Sequence, residues 1–150
     1  MKKFIYISIV MAVLLFTLFE WLRHPLPVTK GTHTISGLLK QVDIYTDKYG
    51  VPHIFADNEQ DLFFAAGYIA ARDRLFQLSL VSLAVRGGLS SVLGPEYLEK
   101  DIYFRTWKIH ETAKTLVKNM DAQNRIIFEN FCKGINFRID EVYNLSLIHI

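Results

Sequence analysis

Residues 47–77, DKYGVPHIFADNEQDLFFAAGYIAARDRLFQ, constrain the fold more than any other stretch, because a turn, a strand and a long apolar helix follow one another with almost no slack. Asp47, Lys48, Tyr49 and Gly50 read as a hairpin turn: Asp favours the first turn position, and Gly accepts the positive φ that a turn followed by a bulge requires. Upstream, Val42, Ile44 and Thr46 alternate with Asp43 and Tyr45, the period of a half-buried strand. Its partner across the turn is VPHIFA, where Pro52 must sit at an edge, a bulge or the first residues of the strand, since it has no N–H to donate. Asp57 stands three residues before Gln60, the spacing of a capping box, and predicts a helix from about Asn58 to Val85. Leu62, Phe63, Phe64, Tyr68, Ile69, Leu75, Phe76, Leu80 and Leu83 occupy more than one face of it, which predicts a buried helix. Ala65, Ala66, Gly67, Ala70 and Ala71 leave one flank nearly bare, so another backbone can approach closely. Arg86, Gly87 and Gly88 end the helix with the residue type that takes a left-handed cap. A short turn, LSSVL, then leads to Gly94 and Pro95.

The N-terminus poses a separate problem. Lys2 and Lys3 precede an apolar run over residues 4–19, interrupted only by Ser8 and Thr17. As a helix this run is about 24 Å long, close to the ~30 Å hydrocarbon core if Trp21 and Leu22 lie at the interface. Residues 1–22 are therefore a membrane anchor or a signal segment. The flank FEWLRHPLP has no small-x-small cleavage site, which favours the uncleaved anchor. The lysines predict a cytoplasmic N-terminus, and everything after Arg23 then lies on the far side of the membrane. Pro25 and Pro27 stop the helix and open an extended linker over residues 23–37.

Beyond Pro95, Ile102, Thr106, Ile109, Ala113, Leu116 and Met120 keep the three-and-four spacing of one amphipathic helix starting near Asp101. Asp121 caps the next, where Ile127, Phe131, Ile135, Ile139 and Val142 form a stripe opposite Arg125, Glu129, Lys133 and Arg138. Two such helices cannot bury both stripes and also cover the first helix without a sheet or more chain. The last six residues, LSLIHI, look like translated sequencing-adapter DNA, and residues 145–150 are set aside together with the sequon and the His149 they create.

Composition limits the function. A net charge of +2 with 21% charged residues, evenly spread, gives no basic stripe for nucleic acid. The single Cys132 excludes an internal disulfide and a cysteine-rich zinc site, and reads as a small buried hydrophobe on a helix. His110 and Glu111 begin a zinc-protease pattern, but Lys114 stands where the second histidine is needed. No G-x-S-x-G elbow and no phosphate-binding glycine loop occur. His53 reads as a hydrogen-bonding strand residue. Arg72, Asp73 and Arg74 read as a buried ion pair that fixes helix position, since the two arginines point to different sides. Asp101 and Arg105, one turn apart, are expected to pair similarly. Asp47, Gly50, His53, Arg72, Asp73, Arg74, Asp101 and Arg105 are thus structural candidates; no catalytic residue and no metal ligand is identified.

The ordered pieces DKYGVPHIFA, DLFFAAGYIAARDRLFQ, GGLSSVLG and DIYFRT resemble the N-terminal part of penicillin acylases, amidases of the N-terminal-nucleophile hydrolase class. The resemblance implies an α/β fold of four αββα layers, to which residues 38–144 contribute a β-hairpin and several helices, preceded by one transmembrane helix. It implies a serine nucleophile freed by self-cleavage at the start of a downstream chain, with its own amino group as base, so this stretch alone is expected to be inactive. Linear acyl amides are the implied substrates, of the penicillin or N-acyl homoserine lactone type. Calcium, bound by some relatives, is implied only through positions outside this stretch. The implied location is the inner membrane, with the domain on the periplasmic or extracytoplasmic side. Ser91 departs from the family, which often has an acidic residue after GGLS. The competing reading is a membrane-tethered helical interaction module without catalysis; a gene that continues past Asn144 to a serine at a cleavage point separates the two.

Overall fold

The computed structural model describes residues 2–23 and 31–145; residues 24–30 of the expected linker and residues 146–150 of the set-aside tail lie outside them. The chain forms two compact units, residues 1–34 and 35–150. The first is helix α1, Lys2–Arg23. Its segment Phe4–Trp21 has a mean hydropathy of 2.1 and no buried residue, and is long and apolar enough to cross a membrane.

The second unit opens with a two-stranded antiparallel sheet, β1 Val42–Thr46 and β2 Pro52–Ala56, in the register Val42 to Ala56 and Thr46 to Pro52. Pro52 is the first residue of its strand, where a missing N–H is tolerated. Val42, Ile44, Ile54 and Ala56 share the half-buried face, while Tyr45 and Phe55 meet edge-on at 5.9 Å on the exposed face. Gly50 has φ +82, and a Cβ there would touch nothing. Gly50→Val therefore carries conformational strain without a clash. Its expected cost is about 1–3 kcal/mol, read as a shifted midpoint in denaturant unfolding.

Helix α2, Glu59–Arg86, follows at once. Its cap is Asn58, whose side chain accepts from the Asp61 N–H, so the cap lies one residue later than the expected Asp57, and Gln60 takes no part in it. Asp57 instead meets Lys40 at 3.2 Å on the surface. The helix ends at Gly87 in the left-handed conformation (φ +65), with Gly87 and Gly88 N–H groups returning to Ala84 and Leu83 carbonyls. It is not buried all round as its composition predicts. Its buried residues, Asp61, Phe64, Ala65, Gly67, Ile69 and Ala71, all precede a kink at Arg74 (φ −141, ψ 31), and Phe76 and Val81 beyond it are exposed.

A single turn of helix, α3 Ser90–Leu93, and a 3-10 turn, Pro95–Tyr97, lead to α4, Leu98–Thr106. The single amphipathic helix expected from Asp101 onward is two. Lys108 takes φ +52, and α5, Ile109–Lys118, starts afresh after it. The final helix, α6 Ala122–Leu145, packs against α2. At their crossing a Cβ on Gly67 would collide with the Phe131 carbonyl, and a Cβ on Gly134 with the Phe64 carbonyl and the Tyr68 nitrogen. The bare flank of α2 thus receives α6, and each glycine hydrogen faces a carbonyl across the gap, the geometry of a Cα–H···O contact. Phe137 of α6 completes the seam between Phe64 and Tyr68, with ring centres 6.0 and 6.1 Å away. Cys132, expected to be buried, is exposed, because it lies on the side of α6 turned away from α2.

Candidate functional site

Four clusters of polar groups in the second unit each fasten a loop or a helix contact. In the hairpin turn, Asp47 Oδ1 accepts from the Tyr49 and Val51 N–H groups at 2.8 and 2.9 Å, and His53 Nε2 stands 3.4 Å from Oδ2. The Val51 bond, together with the Tyr49 and His53 contacts, outweighs partial desolvation and holds the carboxyl below its ordinary range. His53 lies on the exposed face of β2 with its side chain half open, a strand residue in contact with its turn.

Asp61, only 1% exposed, carries the second cluster. Its oxygens accept from the Leu39 N–H at 2.8 Å, the Lys40 N–H at 2.9 Å and the Asn58 amide at 2.6 Å. Burial raises its pKa, but the Leu39, Asn58 and Lys40 hydrogen bonds and the Lys40 charge together lower it. One carboxylate thereby ties the approach to β1 to the first turn of α2, where the helix dipole also favours a negative charge. Sequence reading passed over Asp61. The available signal was the Asn58–Asp61 spacing, which overlaps the Asp57–Gln60 spacing.

Third, the α2–α3 corner is built on Asp101, 3% exposed, whose oxygens accept from the Leu89 N–H, the Ser90 N–H and the Ser90 hydroxyl at 2.8, 2.8 and 2.6 Å. Burial pushes its pKa up and is outweighed by the Ser90 hydroxyl, the two N–H groups and the nearby Arg105 charge, so it stays ionised. The expected Asp101–Arg105 pair gives way to a division of labour. Arg105 Nε donates to the Gly87 carbonyl at 3.0 Å, and the two side chains close one loop from its two sides. Ser91 donates to the Gly88 carbonyl at 2.6 Å.

Arg72 and Asp73 do pair, Nε to Oδ1 at 2.7 Å, but the buried pair of the sequence reading is corrected to a half-open one: Arg72 is 11% exposed and Asp73 38%. Arg74 is exposed, at the kink. Asp73→Ala is accordingly expected to cost no more than about 1 kcal/mol, the range of a solvent-screened pair, in the same unfolding assay.

The fourth cluster lies where α2 meets α6. Arg138, expected on the polar side of α6, is 14% exposed, and its Nη1 meets Glu141 at 3.0 Å. Tyr68 has its pKa raised by burial and then by the charge and hydrogen bond of Glu141. The Arg138 Nε is buried without a partner.

None of these clusters is a catalytic set. Ser90 shares a proton contact with Asp101, yet an acid held below its usual pKa by several donors is a poor base. Ser79 and Ser91 donate to main-chain carbonyls. Among the described residues no three His, Cys, Asp or Glu side chains are grouped to hold a metal. The two buried carboxylates, Asp61 and Asp101, face N–H and O–H donors.

The model of the family described as Penicillin amidase matches residues 41–147. The chain belongs to the penicillin amidase family. It is 34% identical over 111 residues to the acyl-homoserine lactone acylase QuiP of Pseudomonas aeruginosa, covering 74% of this chain and 13% of that protein. It is 31% identical to the penicillin G acylase of Escherichia coli, over 68% of this chain and 12% of that one. With the penicillin acylase 2 proenzyme of a Pseudomonas species it shares 32% identity, over 78% and 15%. The chain thus spans about one-eighth of the length of these curated relatives. A thermostable penicillin G acylase from Alcaligenes faecalis superposes with a TM-score of 0.64 at 30% identity, covering 71% of this chain and 57% of that one. Over that 71% the fold is therefore one shared with a penicillin acylase chain.

Proposed function

We propose that this chain is the N-terminal part of an amidohydrolase precursor that cuts itself and then hydrolyses linear acyl amides. The observation that carries the reading is the penicillin amidase match over residues 41–147, in a segment whose two buried carboxylates, Asp61 and Asp101, are committed to loop and helix contacts. Membership supplies the chemistry, and the saturation of Asp61 and Asp101 assigns this segment a scaffolding part in it. One relative is a proenzyme, which fits maturation by cleavage. So does the solved chain: this stretch fills 57% of it but 12–15% of the curated proteins, so that chain is several-fold shorter than they are.

In this reading the nucleophile is a serine at the head of a downstream chain. A serine hydroxyl needs a base within hydrogen-bond reach, and a free α-amino group, with an ordinary pKa of about 7.7–8.0, provides one on the same residue. Ser36, Ser79, Ser82, Ser90 and Ser91 sit inside the chain, where an amide nitrogen cannot accept the proton. The four αββα layers are completed by the downstream chain, and any calcium site draws its ligands from there. The substrate is an acyl amide of the penicillin or the N-acyl homoserine lactone type, the two classes named among the relatives. Helix α1 anchors the protein in the inner membrane, with residues 35–144 on the extracytoplasmic side.

Continuing the gene sequence past Asn144 tests this. An open frame of several hundred codons with a serine at a self-cleavage point is expected. A stop codon at that point would leave the membrane-tethered interaction module as the reading.

A further inference from the structure

We draw no further inference here: the strongest candidate, the open apolar groove between α4 and α5 lined by Tyr103, Trp107, Ile109 and Leu116, is an unpartnered face, and nothing in the structure shows what covers it.

Discussion

Replacing Gly134 with leucine is expected to separate α6 from α2 and to abolish the cooperative unfolding of the second unit. The atom that a side chain would place first, Cβ, falls on the Phe64 carbonyl and the Tyr68 nitrogen, both backbone atoms of a helix that cannot yield by changing rotamer. Relief requires the helices to move apart, and the seam of Phe64, Tyr68 and Phe137 opens with them. Overpacking of an ordinary core site costs about 1–3 kcal/mol, and a backbone collision belongs at or above the top of that range. Gly67→Val meets the Phe131 carbonyl in the same way and should behave alike. Denaturant unfolding followed by far-UV circular dichroism gives the result. A sharp transition retained in Gly134→Leu at the unsubstituted midpoint would show that the two helices do not cross as closely as described.

Asp61→Ala is expected to be the most damaging change of a polar residue. It leaves the Leu39 and Lys40 N–H groups and the Asn58 amide without their acceptor, at a cost of about 2–3 kcal/mol after the exposed loop regains water. The same site predicts an acid limit. Its folded pKa lies below the unfolded value, so its contribution to stability is fully present above about pH 4 and is lost as the pH falls through the folded pKa. Asp101, Asp47 and Asp121 shift in the same direction and add to the same acid loss. The unfolding midpoint should therefore be level near neutrality and drop below about pH 4, with a shallower drop in Asp61→Asn. A variant whose acid limb is unchanged would remove Asp61 from the account.

Where the determinants of structure are local, the sequence displays them. Alternation of Val42 and Ile44 with Asp43 and Tyr45, the turn at Asp47 and Gly50, and the left-handed cap at Gly87 each follow from a few adjacent residues, and the structure has them as expected. The bare flank around Gly67 also marked a close contact, although its partner Gly134 carried no recognisable signal of its own. The misses are non-local. Asp61 and Asp101 accept from residues 21–22 and 11–12 positions away, and no spacing rule reaches that far. The break between α4 and α5 falls on Lys108, where neither Gly nor Pro warns of it and the apolar period runs on unbroken. Arg138 and Cys132 exchanged places relative to expectation because the contact face of α6 is set by the glycine crossing. The apolar stripe alone would have turned it differently. The functional conclusion was legible only as a resemblance: the four ordered motifs identify a family, while the residues themselves display scaffolding.

On the proposed function, this segment belongs to an amidase that becomes active by exposing a new N-terminal serine. This is tested most directly by assaying acid release from chromogenic acyl anilides with the present chain and with the complete gene product, and sequencing the N-termini of all fragments. No turnover is expected from residues 1–144 alone, and turnover by the complete product is expected only in samples that contain a fragment beginning with serine. Turnover by residues 1–144, or an active complete product with no serine terminus, would contradict it.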